Sequence, residues 1–246
     1  MEHAAKKHLI MYEDSMNTVL QQELLRYNKL IAVVRTTLGN VGKAIKGEVP
    51  LSYELEQVCT SLFNNQVPAV WHKRAYPSLK PLASWIVDFL ERLKFMQGWV
   101  DNGAPSNFWI SGFFFTQSFL TGAKQNFARK YVIAIDHIDF DFIVLSDESK
   151  YDFETGPEDG VYVNGLFMEG SRWDENLEAI EESLPKVLFS QMKGIWILPA
   201  EKKNIDYGHS YMCPVYKTQQ RAGTLSTTGH STNFVIYLYL PMQEKH

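Results

Sequence analysis

Near Tyr131 the spacing of apolar residues changes from the period of a helix to that of a strand, so the chain must join two kinds of layer. Upstream, Met16, Leu20, Leu24, Tyr27, Ile31, Val34 and Leu38 fall three or four apart and line one face of a helix. Glu23, Arg26 and Lys29 read as lying off that stripe. Asp14 or Ser15 caps its start and Gly39 its end, which gives a helix about 34 Å long at ~1.5 Å per residue. A helix of that length buries one stripe within the domain and leaves an outer face to meet something else. Two further apolar-periodic runs, Leu51 to Phe63 and Leu82 to Val100, predict helices, the second ending at Gly98 or at the Asp101-Asn102-Gly103 turn. Between them Pro68, Pro77 and Pro81 mark a connector around Trp71 and Tyr76. A last helix is expected over Gln117 to Arg129, preceded by the aromatic cluster Phe108, Trp109, Phe113, Phe114 and Phe115, which reads as core rather than as a ligand box.

Downstream, Phe140, Phe142 and Val144 alternate with Asp139, Asp141 and Ile143, and Val161, Val163, Leu166 and Met168 lie between a turn and Gly170. Gly194 to Leu198 is a short apolar run, and Tyr211 to Tyr216 and Phe234 to Leu240 are β-branched or aromatic with near-alternation. Several short strands at this spacing suggest a small barrel or sandwich. The expected fold class is α+β: a helical part with one long helix, followed by a small antiparallel β-barrel. The corresponding division is a flexible start over 1–11, a helical subdomain over 12–131 and a barrel subdomain over 132–246.

Charge and composition narrow the function classes. With 24 Lys and Arg against 28 Asp and Glu the net charge is −4, which argues against binding nucleic acid through its phosphates. No apolar run approaches the ~18 residues of a membrane span, and Met1 to Leu9 has no following apolar segment of a secretory signal. Cys59 and Cys213 are too few for a disulfide framework or a cysteine-rich zinc site and read as free buried thiols in a reducing compartment. These features point to the cytoplasm or a cytoskeletal structure.

No catalytic constellation assembles from the residues. Gly39-Asn40-Val41-Gly42-Lys43-Ala44 has the residue types of a phosphate-binding loop. Its glycines are too close, Ala44 stands where Ser or Thr would hold Mg²⁺, and a helix rather than a strand precedes it. Asp136, His137, Asp139 and Asp141 lack the further oxygen ligands and the glycine of a calcium loop, so a solvated strand face is the simpler reading. The seven histidines show no i, i+4 pair, and His209-Ser210 and His230-Ser231 lack the strand-turn-helix context of a nucleophile. The expectation is no catalytic, cofactor-binding or metal-binding residue.

Several long motifs do match a known family. The stretch NFWISGFFFTQSFLTGAKQNFARKY (107–131) resembles the C-terminal region of dynein heavy chains, and so do DGVYVNGLFMEGSRWD (159–174), MKGIWILPA (192–200) and YMCPVYKTQQRAGTLSTTGHSTNFVIYLYLP (211–241). Upstream, LQQELLRYNKLI (20–31) and the run from Val67 to Trp99 resemble the helical part of the same region. The likeness spans Tyr12 to His246, and the wording of its strand motifs is that of axonemal, inner-arm heavy chains more than of the cytoplasmic one.

That resemblance implies a non-catalytic domain. It would pack helices and a small barrel against a ring of AAA+ modules of the same heavy chain and modulate an ATP-driven, minus-end-directed microtubule motor of cilia and flagella. ATP and Mg²⁺ would belong to the ring, and the location would be cytoplasm, cytoskeleton and axoneme. Val19, Leu30 and Val33, off the main stripe of the long helix, are the candidates for the ring interface, with packing inside this domain as the open alternative. Family members continue past Pro241-Met242 with a further strand, and this sequence ends at His246; an unpaired barrel edge would then invite self-association. Two other readings stay open: a stand-alone interaction module acting through the long helix or a sheet edge, and an enzyme of unrecognised type.

Overall fold

The computed structural model describes residues 6–146, 153–208, 210–219 and 234–242. Helix α1 runs Ser15–Ile45, started by the Asp14 carboxylate, which accepts a hydrogen bond from the Met16 N–H at 2.8 Å. It does not stop at Gly39. A Cβ at Gly39 or Gly42 would meet nothing within 4 Å, so both glycines sit at open positions and cost only some helix propensity. The backbone turns at Gly47, which takes the left-handed conformation (φ +75°). The helix is therefore 31 residues long, about 46 Å at 1.5 Å per residue.

Helix α2 (Tyr53–Phe63) is capped by Ser52, with Glu54 and Glu56 in its first turn, where they favour the positive end of the helix dipole. Helix α3 (Ala69–His72) is a single turn within the proline connector. Helix α4 (Leu82–Asn102) starts directly after Pro81, passes through Gly98 and ends at Gly103 (φ +94°). Strand β1 (Asn107–Trp109) and helix α5 (Thr116–Tyr131) complete the first half, α5 ending at Val132 in the left-handed region (φ 55°).

The second half contributes β2 (Ile138–Val144), β3 (Val161–Asn164), β4 (Phe167–Glu169), β5 (Ser171–Asp174), β6 (Ala179–Glu182), β7 (Phe189–Gln191), β8 (Ile195–Glu201), β9 (Ser210–Tyr216) and β10 (Phe234–Pro241). They form two four-stranded sheets, β1-β3-β8-β2 and β10-β9-β4-β7, and a β5-β6 hairpin.

The antiparallel barrel expected from the strand spacing is not what the described residues form. The sheets are open, and β1 pairs with β3 in parallel. Closure needs a continuous backbone ladder, yet among the described residues β2 pairs only with β8 and β10 only with β9. Side chains span the gap instead. The Tyr207 ring meets Tyr239 of β10 at 4.8 Å, and its hydroxyl donates to Asp139 of β2 at 3.4 Å.

β1 also shows that the two halves are interleaved, because a strand from before α5 edges a sheet built after it. One hydrophobic core follows. Leu20 and Tyr27 of α1, Trp85 and Trp99 of α4 and Phe119 of α5 lie in the same cluster as Val163, Ile195, Val215 and Leu238 of the sheets.

Candidate functional site

The densest chemistry surrounds the short turn Ile110–Phe115 between β1 and α5, where charged side chains from three parts of the sequence hold one stretch of backbone. From α1, the fully buried Glu23 carboxylate accepts the N–H of Phe114 at 2.6 Å and of Phe115 at 3.0 Å, and pairs with Arg26 at 3.0 Å. From beyond β9, the buried Lys217 ammonium donates to the carbonyls of Phe113 at 3.3 Å and Phe114 at 3.0 Å. From α4, Arg92 donates to Asp88 at 2.7 Å and to the Ser111 carbonyl, and its guanidinium lies 3.9 Å from the Tyr76 ring centroid. The Tyr27 hydroxyl donates to the Gly112 carbonyl, and the Ser111 hydroxyl to that of Gly165.

Every carbonyl from Ser111 to Phe114 therefore has a side-chain donor. A buried backbone group left without one costs about 1–3 kcal/mol, so charge here organises a turn that two layers share. Gly165 shows how close that junction is. It sits at φ +84°, and a Cβ there would lie 2.6 Å from the Trp109 ring.

Burial moves two of these charges, Glu23 and Lys217, toward neutrality in spite of their partners. Burial raises the Glu23 pKa, against the pull of the Phe114 and Phe115 N–H groups and of Arg26. Burial also pushes the Lys217 ammonium down to about 8, assisted by repulsion from Arg92 and resisted by Glu23. Asp88 goes the other way: burial opposes its charge, but Arg92 and Lys80 overcome it and hold the carboxyl below its usual value. A hollow of about 300 Å³ beside the cluster is lined by Lys80, Asp88, Arg92 and Lys217 among others. Each of these four charges has a partner: Lys80 reaches Asp88 at 2.8 Å, and the others are held as described.

The residues singled out from sequence fall elsewhere. Val19 and Leu30 are buried, 3% and 0% exposed, so these two pack inside this domain, the alternative left open above. Val33 is partly buried against the same core and keeps part of its surface outside. The reason is packing between helices: Gly122 of α5 lets that helix approach Val19, whose Cγ2 would be 3.1 Å from a Cβ at that position. Glu23, read as lying off the stripe, is on its flank and wholly enclosed. Residues 39–44 lie inside α1. Asp139 pairs with Lys124 at 3.1 Å, and Asp141 is exposed. His209 and the pair at 230–231 lie outside the described residues.

Among the described residues no group of three His, Cys, Asp or Glu side chains is placed to hold a metal, and no helix is long and apolar enough to cross a membrane. The sequence signals for the real cluster were the i, i+4 pair Asp88–Arg92 and the position of Glu23 three after Leu20 and four before Tyr27. Nothing local marks Lys217.

Helices and open sheets locked through one charged turn define a mixed α+β domain. The family model described as the C-terminal domain of the dynein heavy chain matches residues 1–246, and this protein belongs to that family. It is 55% identical over 244 residues to dynein axonemal heavy chain 1 of Rattus norvegicus, covering 99% of this sequence and 5% of that protein. Dynein axonemal heavy chain 3 of Homo sapiens is 54% identical over 248 residues, 100% of this sequence and 6% of its own length. Dynein axonemal heavy chain 12 of Homo sapiens is 52% identical over 240 residues, 98% and 8% respectively. The 246 residues thus span less than a tenth of the length of these relatives.

Proposed function

We propose that this domain is the C-terminal brace of an axonemal dynein heavy chain. It packs on the AAA+ ring of that heavy chain and modulates an ATP-driven, minus-end-directed microtubule motor in the cilium or flagellum. The observation that carries the reading is identity above 50% to axonemal heavy chains along nearly the whole of this sequence. The domain itself binds neither ATP nor Mg²⁺ and catalyses nothing; ring modules of the same polypeptide are its partners.

The experiment measures microtubule-stimulated ATPase and gliding velocity of a motor region lacking its C-terminal domain, with and without saturating amounts of this protein. A change in either rate, with no nucleotide binding by the domain alone, is the expected result. Unchanged rates would remove the modulating role, and saturable ATP binding by the isolated domain would reopen the enzyme reading. The edge of β10, paired with one strand only among the described residues, supports self-association as a second reading, and light scattering over a concentration series tests it.

A further inference from the structure

Helix α4 presents different surfaces along its length: beyond Leu90 it exposes Glu91, Lys94 and Asp101, and before that point it exposes no charge. Over residues 82–90 the exposed positions are Ala83, Ser84, Ile86, Val87 and Leu90, none of them charged. The one charged residue of that stretch, Asp88, is 6% exposed and turned inward to Arg92 and Lys80. Ile86 is 40% exposed, Val87 57% and Leu90 58%. At spacings of three and four they form one continuous patch on the helix surface. A helix that is apolar on both faces is ordinarily covered on both.

The patch does not stand alone. The Asn65 backbone carbonyl accepts the Leu82 N–H at 2.9 Å, and its side-chain oxygen accepts the Ala83 N–H at 3.0 Å. These bonds bring the end of α2, where Phe63 is 91% exposed, to the same end of α4. Further along, a hollow of about 590 Å³ opens beside Gly98, with Trp99, Trp109 and Phe95 in its lining and Glu91 and Lys94 at its margin. A Cβ at Gly98 would meet nothing within 4 Å, so the groove lacks a knob of its own.

We propose that this outer face of α4, led by Ile86, Val87 and Leu90, is where the rest of the same heavy chain docks. The inference rests on the reading of the protein as a heavy-chain domain and adds which face meets the ring. The occupant follows from length. The family is a C-terminal domain, and relatives carry more than nine-tenths of their polypeptide outside the matched region. A tethered partner is presented at high effective concentration, so it needs far less than the ~1,200–2,000 Å² that a separate protein usually buries. A few apolar side chains and one groove suit that case. The complementary surface should be apolar, with a side chain to enter the groove and charges opposite to Glu91 and Lys94.

The test measures the affinity of this protein for a motor region lacking its C-terminal domain. Two variants are compared with the parent: Ile86→Gln/Val87→Gln/Leu90→Gln on α4, and Leu25→Gln/Leu38→Gln on the outer side of α1. Thermal melting shows that each retains its fold; if the triple variant does not, Val87→Glu alone replaces it. The expected result is at least about tenfold weaker binding for the α4 variant and less than about twofold for the α1 variant. If the parent binds and the α4 variant binds equally well, the assigned face is wrong while docking stands. If the parent does not bind even at about 1 mM, the effective concentration of a tethered partner, docking itself fails and the assignment with it. Concentration-dependent dimers that the α4 variant abolishes would make a second copy the occupant and overturn the proposal.

Discussion

Helices α1 and α4 bury stripes in the same core and each turns charge inward, Glu23 on one and Asp88 with Arg92 on the other, yet the outer faces of α1 and of the first half of α4 differ. On α1 the outer side carries Lys29, Arg35, Asn28 and Thr36, and its exposed leucines, Leu25 and Leu38, stand thirteen positions apart. That is the surface of a helix at rest in water. On α4 the pair Asp88–Arg92 is buried and the neighbouring outer side is apolar. Helix length is thus a poor guide to which helix leaves an apolar face outside. The long helix was the natural candidate, and its off-stripe residues Val19 and Leu30 went into the core.

The largest expected effect tests the inward charges. Arg92→Ala removes the partner of a buried carboxylate, the donor to the Ser111 carbonyl and the stack on Tyr76, and should destabilise the domain by about 3–5 kcal/mol in urea denaturation. Arg35→Ala on the exposed side of α1 should change stability by less than about 0.5 kcal/mol. Equal losses from the two would erase the contrast between the helices.

Lys217, between Glu23 of α1 and Arg92 of α4, yields an intermediate effect. Its pKa is lowered to about 8 from 10.5. Between those values the unfolded state holds a proton that the folded state has released, so this group's contribution to stability grows as pH rises through that window. Cys213, pushed up to about 11, acts with the opposite sign above pH 9. The difference in stability between the parent and Lys217→Met isolates the lysine, and should climb with pH by up to about 1.4 kcal/mol per unit. A flat difference would mean that the ammonium is not enclosed by the two helices.

The smallest effect is the most discriminating. Ile86→Gln, Val87→Gln and Leu90→Gln, singly, should each leave the stability of the isolated domain within about 0.5 kcal/mol, because their side chains already face water. A loss of about 2 kcal/mol or more from any one would place it in the core of this domain and leave the outer face of α4 without its apolar character.

The starts of α1 and α4, most of α2 and the long strands β2, β8, β9 and β10 were legible in the sequence. Apolar period, a capping carboxylate and Pro81 act within a few residues of where they stand. Three features escaped. Gly39 did not end α1, because a glycine stops a helix only where the backbone turns left-handed, and here the turn came at Gly47. β1 was hidden in an aromatic run, because three residues become a strand only through their parallel neighbour β3. Glu23 looked like a surface residue, because its partners are the N–H groups of Phe114 and Phe115, about ninety positions away.

By itself, then, the sequence determined the kinds of element, their order and, through long motifs, the family. Those are local properties of spacing and wording. Which face of which helix was left outside, whether the sheets closed, and which charges went in were decided by tertiary structure. Each depends on donors, acceptors and packing surfaces that become neighbours only when distant parts of the polypeptide enclose one core.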